Sequence, residues 1–108
     1  MKIDLKNKKA LVTGGGTGIG RQIVKALADA GASVAFTSRN KNSLSGTLKL
    51  LNNKNTHKGF QVDLSQKKNV GNFYKKIKKN FGTIDILINN IGHTLNKKNP
   101  FSYFFSFL

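Results

Sequence analysis

One stretch constrains this chain more than any other: Thr13-Gly14-Gly15-Gly16-Thr17-Gly18-Ile19-Gly20, in which five of eight residues are glycine. Its neighbours give it meaning. Ahead of it, Lys9-Ala10-Leu11-Val12-Thr13 is a short apolar run entered from a basic, polar segment, the pattern of a buried parallel strand. Behind it, Ile19, Ile23, Val24 and Leu27 share one stripe, while Arg21, Gln22, Lys25 and Asp29 fall off it. That spacing predicts an amphipathic helix with Gly31 as its stop. A glycine-rich turn between strand and helix lets backbone approach a diphosphate without Cβ clashes, and the helix N-terminus offers unpaired amides and partial positive charge. Gly20 allows the helix to pack closely on the sheet.

The same alternation continues. Residues 33–37 read as a second strand, and residues 43–51, carried by Leu44, Leu48 and Leu51, as a weaker helix. A loop is expected over 52–58 and a third strand over 59–63. Val70, Phe73, Tyr74, Ile77 and Phe81 then recur at helical offsets up to Gly82, and residues 83–89 form a fourth, strongly apolar strand. Four strands alternating with three helices indicate successive βαβ units, and right-handed crossovers give a doubly wound, three-layer α/β core with a parallel sheet. Past Gly92 the pattern stops. Residues 96–100 are polar, and residues 101–108 hold four of the eight phenylalanines without helical or strand periodicity. The division expected is a partial nucleotide-binding domain over 1–93 and an irregular aromatic tail over 94–108. The tail is read first as sequence outside the fold, with an edge strand or an oligomer contact as the other readings.

Length allows one domain: 108 residues. With no cysteine, disulfide scaffolds, thiolate catalysis and Cys-ligated metals are excluded, and His57 and His93 belong to no metal motif. No segment has the apolar length of a signal peptide or a membrane span. A cytoplasmic chain with no membrane partner is expected. The formal charge of +15 raises nucleic acid as a partner. However, the basic residues are 17 Lys and only 2 Arg, with 13 Asn beside them. Specific phosphate and base readers favour the arginine fork, so the charge reads as a solvated helix face and A/T-rich codons, with no nucleic-acid partner.

The spacing Thr-Gly-x-x-x-Gly-x-Gly resembles that of the short-chain dehydrogenase/reductase family. Asn89-Asn90-Ile91-Gly92 is similar to the family's Asn-Asn-Ala-Gly element, Asp63-Leu64 to its adenine-contacting Asp, and residues 84–88 to the strand that leads into the Asn-Asn element. The match runs from about residue 9 to 92. It implies a Rossmann-like α/β fold, here truncated after about four strands, and an oxidoreductase that moves a hydride between a nicotinamide dinucleotide and a carbonyl, alcohol or enoyl substrate. By the same resemblance Gly14, Thr17, Gly18, Ile19 and Gly20 would line the diphosphate and nearby ribose. Asp63 would accept from the adenine amino group, and Leu64 would supply a backbone contact or a wall. Asn90 and Gly92 would run beside the nicotinamide ribose, while Asn89 would brace the strands. At the end of the second strand, Thr37-Ser38-Arg39-Asn40 lacks the acidic residue that would bind ribose hydroxyls and repel a 2′-phosphate. Ser38 and Arg39 therefore favour NADP over NAD. The family's second cue for NADP, a basic residue before the second motif glycine, is missing because Thr17 stands there.

No catalytic residue is assigned. The family's Tyr-x-x-x-Lys pair and upstream Ser follow a fifth strand, which this sequence does not reach. Tyr74 and Lys78 have the literal spacing, but they precede the Asn-Asn element and Tyr74 lies on an apolar stripe. Tyr103 has no lysine four residues on, and His93 reads as a loop residue. The expectation is a cofactor-binding fragment without turnover, whose full-length relatives take a small-molecule substrate and form homo-oligomers. The alternatives are a non-catalytic nucleotide-binding or regulatory module using its aromatic tail, and a nucleic-acid module using the lysine-rich helix over 66–80.

Overall fold

Strands that are apolar on both faces are stable only where both faces are covered. A computed structural model, describing residues 3–90, places the first two strands in that position. Strands β1 (Lys9–Thr13), β2 (Ser33–Ser38), β3 (Lys58–Gln61) and β4 (Ile86–Asn89) form one parallel sheet in the order β3-β2-β1-β4. Between them run helices α1 (Gly18–Asp29), α2 (Lys41–Lys49) and α3 (Lys67–Asn80). Successive side chains of the central strands point to opposite faces. Leu11 and Ala35 meet Leu64 and the buried stripe Val70, Phe73, Ile77 of α3. Val12, Val34 and Phe36 meet Val24 of α1 and Leu51 beyond α2. Each such large side chain stabilises the fold by about 1.5–3 kcal/mol when fully buried. The result is the doubly wound, three-layer, Rossmann-like α/β architecture that the sequence predicts.

Several boundaries move, each for a local reason. Helix α2 begins at Lys41 rather than residue 43, because the Asn40 side chain accepts from the backbone amides of Asn42 and Ser43 at 2.8 and 3.1 Å and caps its first turn. Strand β3 runs over 58–61 rather than 59–63. At its far end the Asp63 carboxylate accepts from the Ser65 amide at 3.0 Å, turning the chain toward α3. A short 3₁₀ turn, Lys54–Thr56, sits in the segment read as loop. Strand β4 starts at Ile86, because Asp85 is already pinned to β1: its amide donates to the Lys9 carbonyl at 2.8 Å and its carboxylate accepts from the Lys9 amide at 2.9 Å. No helix among the described residues is long and apolar enough to cross a membrane. Ile91, Gly92, His93 and the tail over 94–108 lie outside the described residues.

Candidate functional site

The C-terminal ends of β1, β2 and β4 converge on the glycine turn, the place where a doubly wound sheet opens a crevice. Strand β2 holds the turn from below. The Gly14 amide donates to Thr37 Oγ1 at 3.0 Å and the Gly15 amide to the Thr37 carbonyl at 2.8 Å. The glycines then divide by role. A Cβ on Gly15 would stand 2.7 Å from Phe36 Cβ and 2.8 Å from Val24 Cγ2, and one on Gly20 would run into the Gly14 carbonyl oxygen, so both serve close packing. Gly18 differs. With φ of +56° it starts α1 in a left-handed conformation, and among the described residues nothing lies within 4 Å of the place its Cβ would take. Thr17 and Ile19 beside it are exposed.

From the other side β4 braces the turn. Thr13 Oγ1 donates to Asn89 Oδ1 at 3.3 Å and accepts from the Asn90 amide at 3.1 Å. Asn90 Nδ2 donates to the Gly14 carbonyl at 3.1 Å. Both asparagines thus tie β4 to β1, and the Asn90 side chain joins the bracing expected of Asn89 alone.

At the ends of β2 and β3, Arg39 is exposed, while Ser38 is buried with its hydroxyl donating to the Asn40 carbonyl at 3.0 Å. The Ser65 hydroxyl donates to Asp63 at 2.5 Å and holds its carboxyl below the usual carboxylate range; the positive charge of Arg39 adds to the effect. Leu64 is core, packed against α3, so what it can offer a ligand is backbone. Arg39 and Asp63 border an open groove of about 500 Å³ that continues past Gln61, Asn69 and Lys76 and has Phe60 in its wall. Tyr74 packs against the α3 core cluster, as its place on the apolar stripe predicts.

Two further residues belong here. Arg21, a solvent-side position by helical spacing, and Thr47 of α2 bond the carbonyls of the glycine turn. The available signal was spacing: Arg21 lies one helical turn beyond Thr17, on the face that overhangs the loop.

What the arrangement can hold follows from its donors. Thr17 makes no side-chain cap to α1, the first turn carries no acidic residue, and no described residue closes over Gly18. Free amides at a helix N-terminus, approached over a bare glycine, fit an anionic diphosphate. Among the described residues no group of three His, Asp or Glu could hold a metal.

The short-chain dehydrogenase family model matches residues 8–104. The chain belongs to that family. Members use a nicotinamide dinucleotide, which agrees with the donors just described. A Staphylococcus epidermidis protein named an uncharacterized oxidoreductase is 36% identical over 94 residues, covering 87% of this chain and 40% of the relative. Bacillus subtilis YxbG, also named an uncharacterized oxidoreductase, is 38% identical over 89 residues, covering 82% and 33%. The crystal structure of a short chain dehydrogenase from Bacillus anthracis superposes with a TM-score of 0.74 at 31% identity, covering 82% of this chain and 36% of that one. The chain therefore spans 40% or less of the length of each of these three proteins.

Proposed function

We propose that residues 1–93 of this short-chain dehydrogenase bind NADP, as the cofactor half of an oxidoreductase that reduces or oxidises a small carbonyl, alcohol or enoyl substrate. The observation that carries the reading is the uncapped, open start of α1 at Gly18. The amides over 17–20 take the diphosphate, Asp63 and the Leu64 backbone take the adenine, and Asn90 lies toward the nicotinamide ribose, with Gly92 following it in sequence. Arg39 faces the adenosine ribose and favours a 2′-phosphate through its fork. When bound, the nicotinamide supplies the hydride. The residues of this chain bind and orient it, and the sequence places no Tyr-x-x-x-Lys after the Asn-Asn element to move the matching proton. These 108 residues are accordingly proposed to bind cofactor without turnover.

The test is an NMR titration of the chain with NADPH and with NADH. Tighter binding of NADPH, with shifts at Gly18, Arg39 and Asp63, is expected. Arg39→Ala should cost the 2′-phosphorylated cofactor roughly tenfold, about 1.4 kcal/mol for a charge-assisted contact, and leave NADH unchanged. Equal losses for both cofactors would assign Arg39 elsewhere, and shifts absent from residues 14–20 would refute the site.

A further inference from the structure

Three consecutive glycines have no intrinsic reason to hold one shape, since glycine loses more backbone freedom on ordering than any other residue. Strands β2 and β4 hold Gly14 and the Gly15 amide, and the carbonyls of Gly15 and Gly16 are held from α1 and α2. Arg21 Nε donates to the Gly16 carbonyl at 3.0 Å, and Arg21 Nη2 donates to the same oxygen at 2.6 Å and to the Ser43 carbonyl at 3.2 Å. The fully buried Thr47 hydroxyl lies 2.9 Å from the Gly15 carbonyl, 3.1 Å from that of Gly16, and accepts from Arg21 Nε at 3.0 Å. Gly46 makes room for the fork, because a Cβ there would come within 2.8 Å of Arg21 Nη2. The one ion pair among the described residues joins Lys25 to Asp29, so no carboxylate there draws Arg21 away from the loop.

A trans peptide points its carbonyl and the next residue's amide in opposite directions. Holding the Gly15 and Gly16 carbonyls toward α2 therefore turns the Gly16 and Thr17 amides the other way, toward the open side at Gly18. We infer that Arg21 and Thr47 are positioning residues that set the glycine turn's amides for the diphosphate without touching it. The inference rests on the cofactor reading above. Without the clamp, the carbonyls are free to rotate toward the ligand and repel its oxygens, and binding would have to order the turn as well as fill it.

Two probes separate positioning from general stability: ADP, which carries a diphosphate, and adenosine 2′-monophosphate, which does not. Titrations of the 108-residue chain followed by NMR should show that Thr47→Val weakens ADP roughly tenfold or more while adenosine 2′-monophosphate changes less than about twofold. Thr47→Ser, which keeps the hydroxyl, should restore ADP binding. Arg21→Lys keeps the charge but not the fork, and should weaken ADP alone; it carries the test if Thr47→Val does not fold. Unchanged ADP affinity in these variants, or equal losses for both probes, would overturn the clamp while leaving the cofactor site standing. A wild-type chain that binds neither ADP nor NADPH would overturn the cofactor reading itself, and the clamp with it.

Discussion

His57 takes over a strand's work just before β3 begins. The Val34 amide donates to His57 Nδ1 at 3.0 Å, filling the position where β2 has not yet met the Lys58 pairing. The ring is buried, and desolvation pulls its pKa below the ordinary 6.5, against a smaller upward pull from a backbone bond to Asn52. In the unfolded chain the ring takes its proton near 6.5, and in the fold it resists. Stability is therefore full above about pH 6.5 and falls as the pH drops below it. Urea denaturation at pH 7 and pH 5 should give a lower midpoint at pH 5. His57→Ala should cost about 1–3 kcal/mol at pH 7 by orphaning the Val34 amide, and should flatten the pH dependence. A wild-type midpoint that does not change with pH would count against the bond.

Among the elements, α2 owes most to its ends. It is short and weakly amphipathic, with Gly46 in its interior, and an isolated helix of this length is marginal in water. The Asn40 cap and the burial of Thr47 against the glycine turn hold it. Asn40→Ala should therefore cost about 1 kcal/mol in denaturant unfolding. If α2 supports the turn, hydrogen exchange at residues 14–17 should quicken in the same variant. The other test at this scale is Gly20→Ala. Its methyl group would meet the Gly14 carbonyl, so a loss of several degrees in melting temperature is expected, whereas Gly18→Ala should meet no neighbour among the described residues and lose mainly through its positive φ. Equal losses for the two would refute the division of the glycines into packing and opening roles.

For the whole molecule, a charge of +15 on 108 residues is a self-repulsion that folding concentrates. Helix α3 alone carries Lys68, Lys75, Lys76, Lys78 and Lys79 on exposed positions. Raising NaCl from low to physiological strength shortens the Debye length to about 8 Å and should raise the melting temperature by a few degrees. A flat salt curve would mean the lysines are far enough apart not to matter.

How much of this was legible in the sequence depends on the range of the interaction. Apolar runs, helical stripes and the glycine motif are local patterns, so the element order, the buried stripe of α3 and the positions of Gly14 to Gly20 could be read directly. The ends of α2, β3 and β4 were displaced because Asn40, Asp63 and Asp85 act through one or two hydrogen bonds that no periodicity records. Arg21 looked like a solvent residue because its helical position is off the apolar stripe. Its partners lie 5 to 26 residues away and meet it only when α2 folds across the turn. Asn90 likewise reaches Gly14 across 76 residues. The sequence by itself determined a parallel α/β sheet with a diphosphate-type turn at its first strand, because burial and backbone freedom are written residue by residue. The tertiary structure alone decided which side chains orient that turn, because an amide's direction is set by the partner its neighbouring carbonyl finds in space.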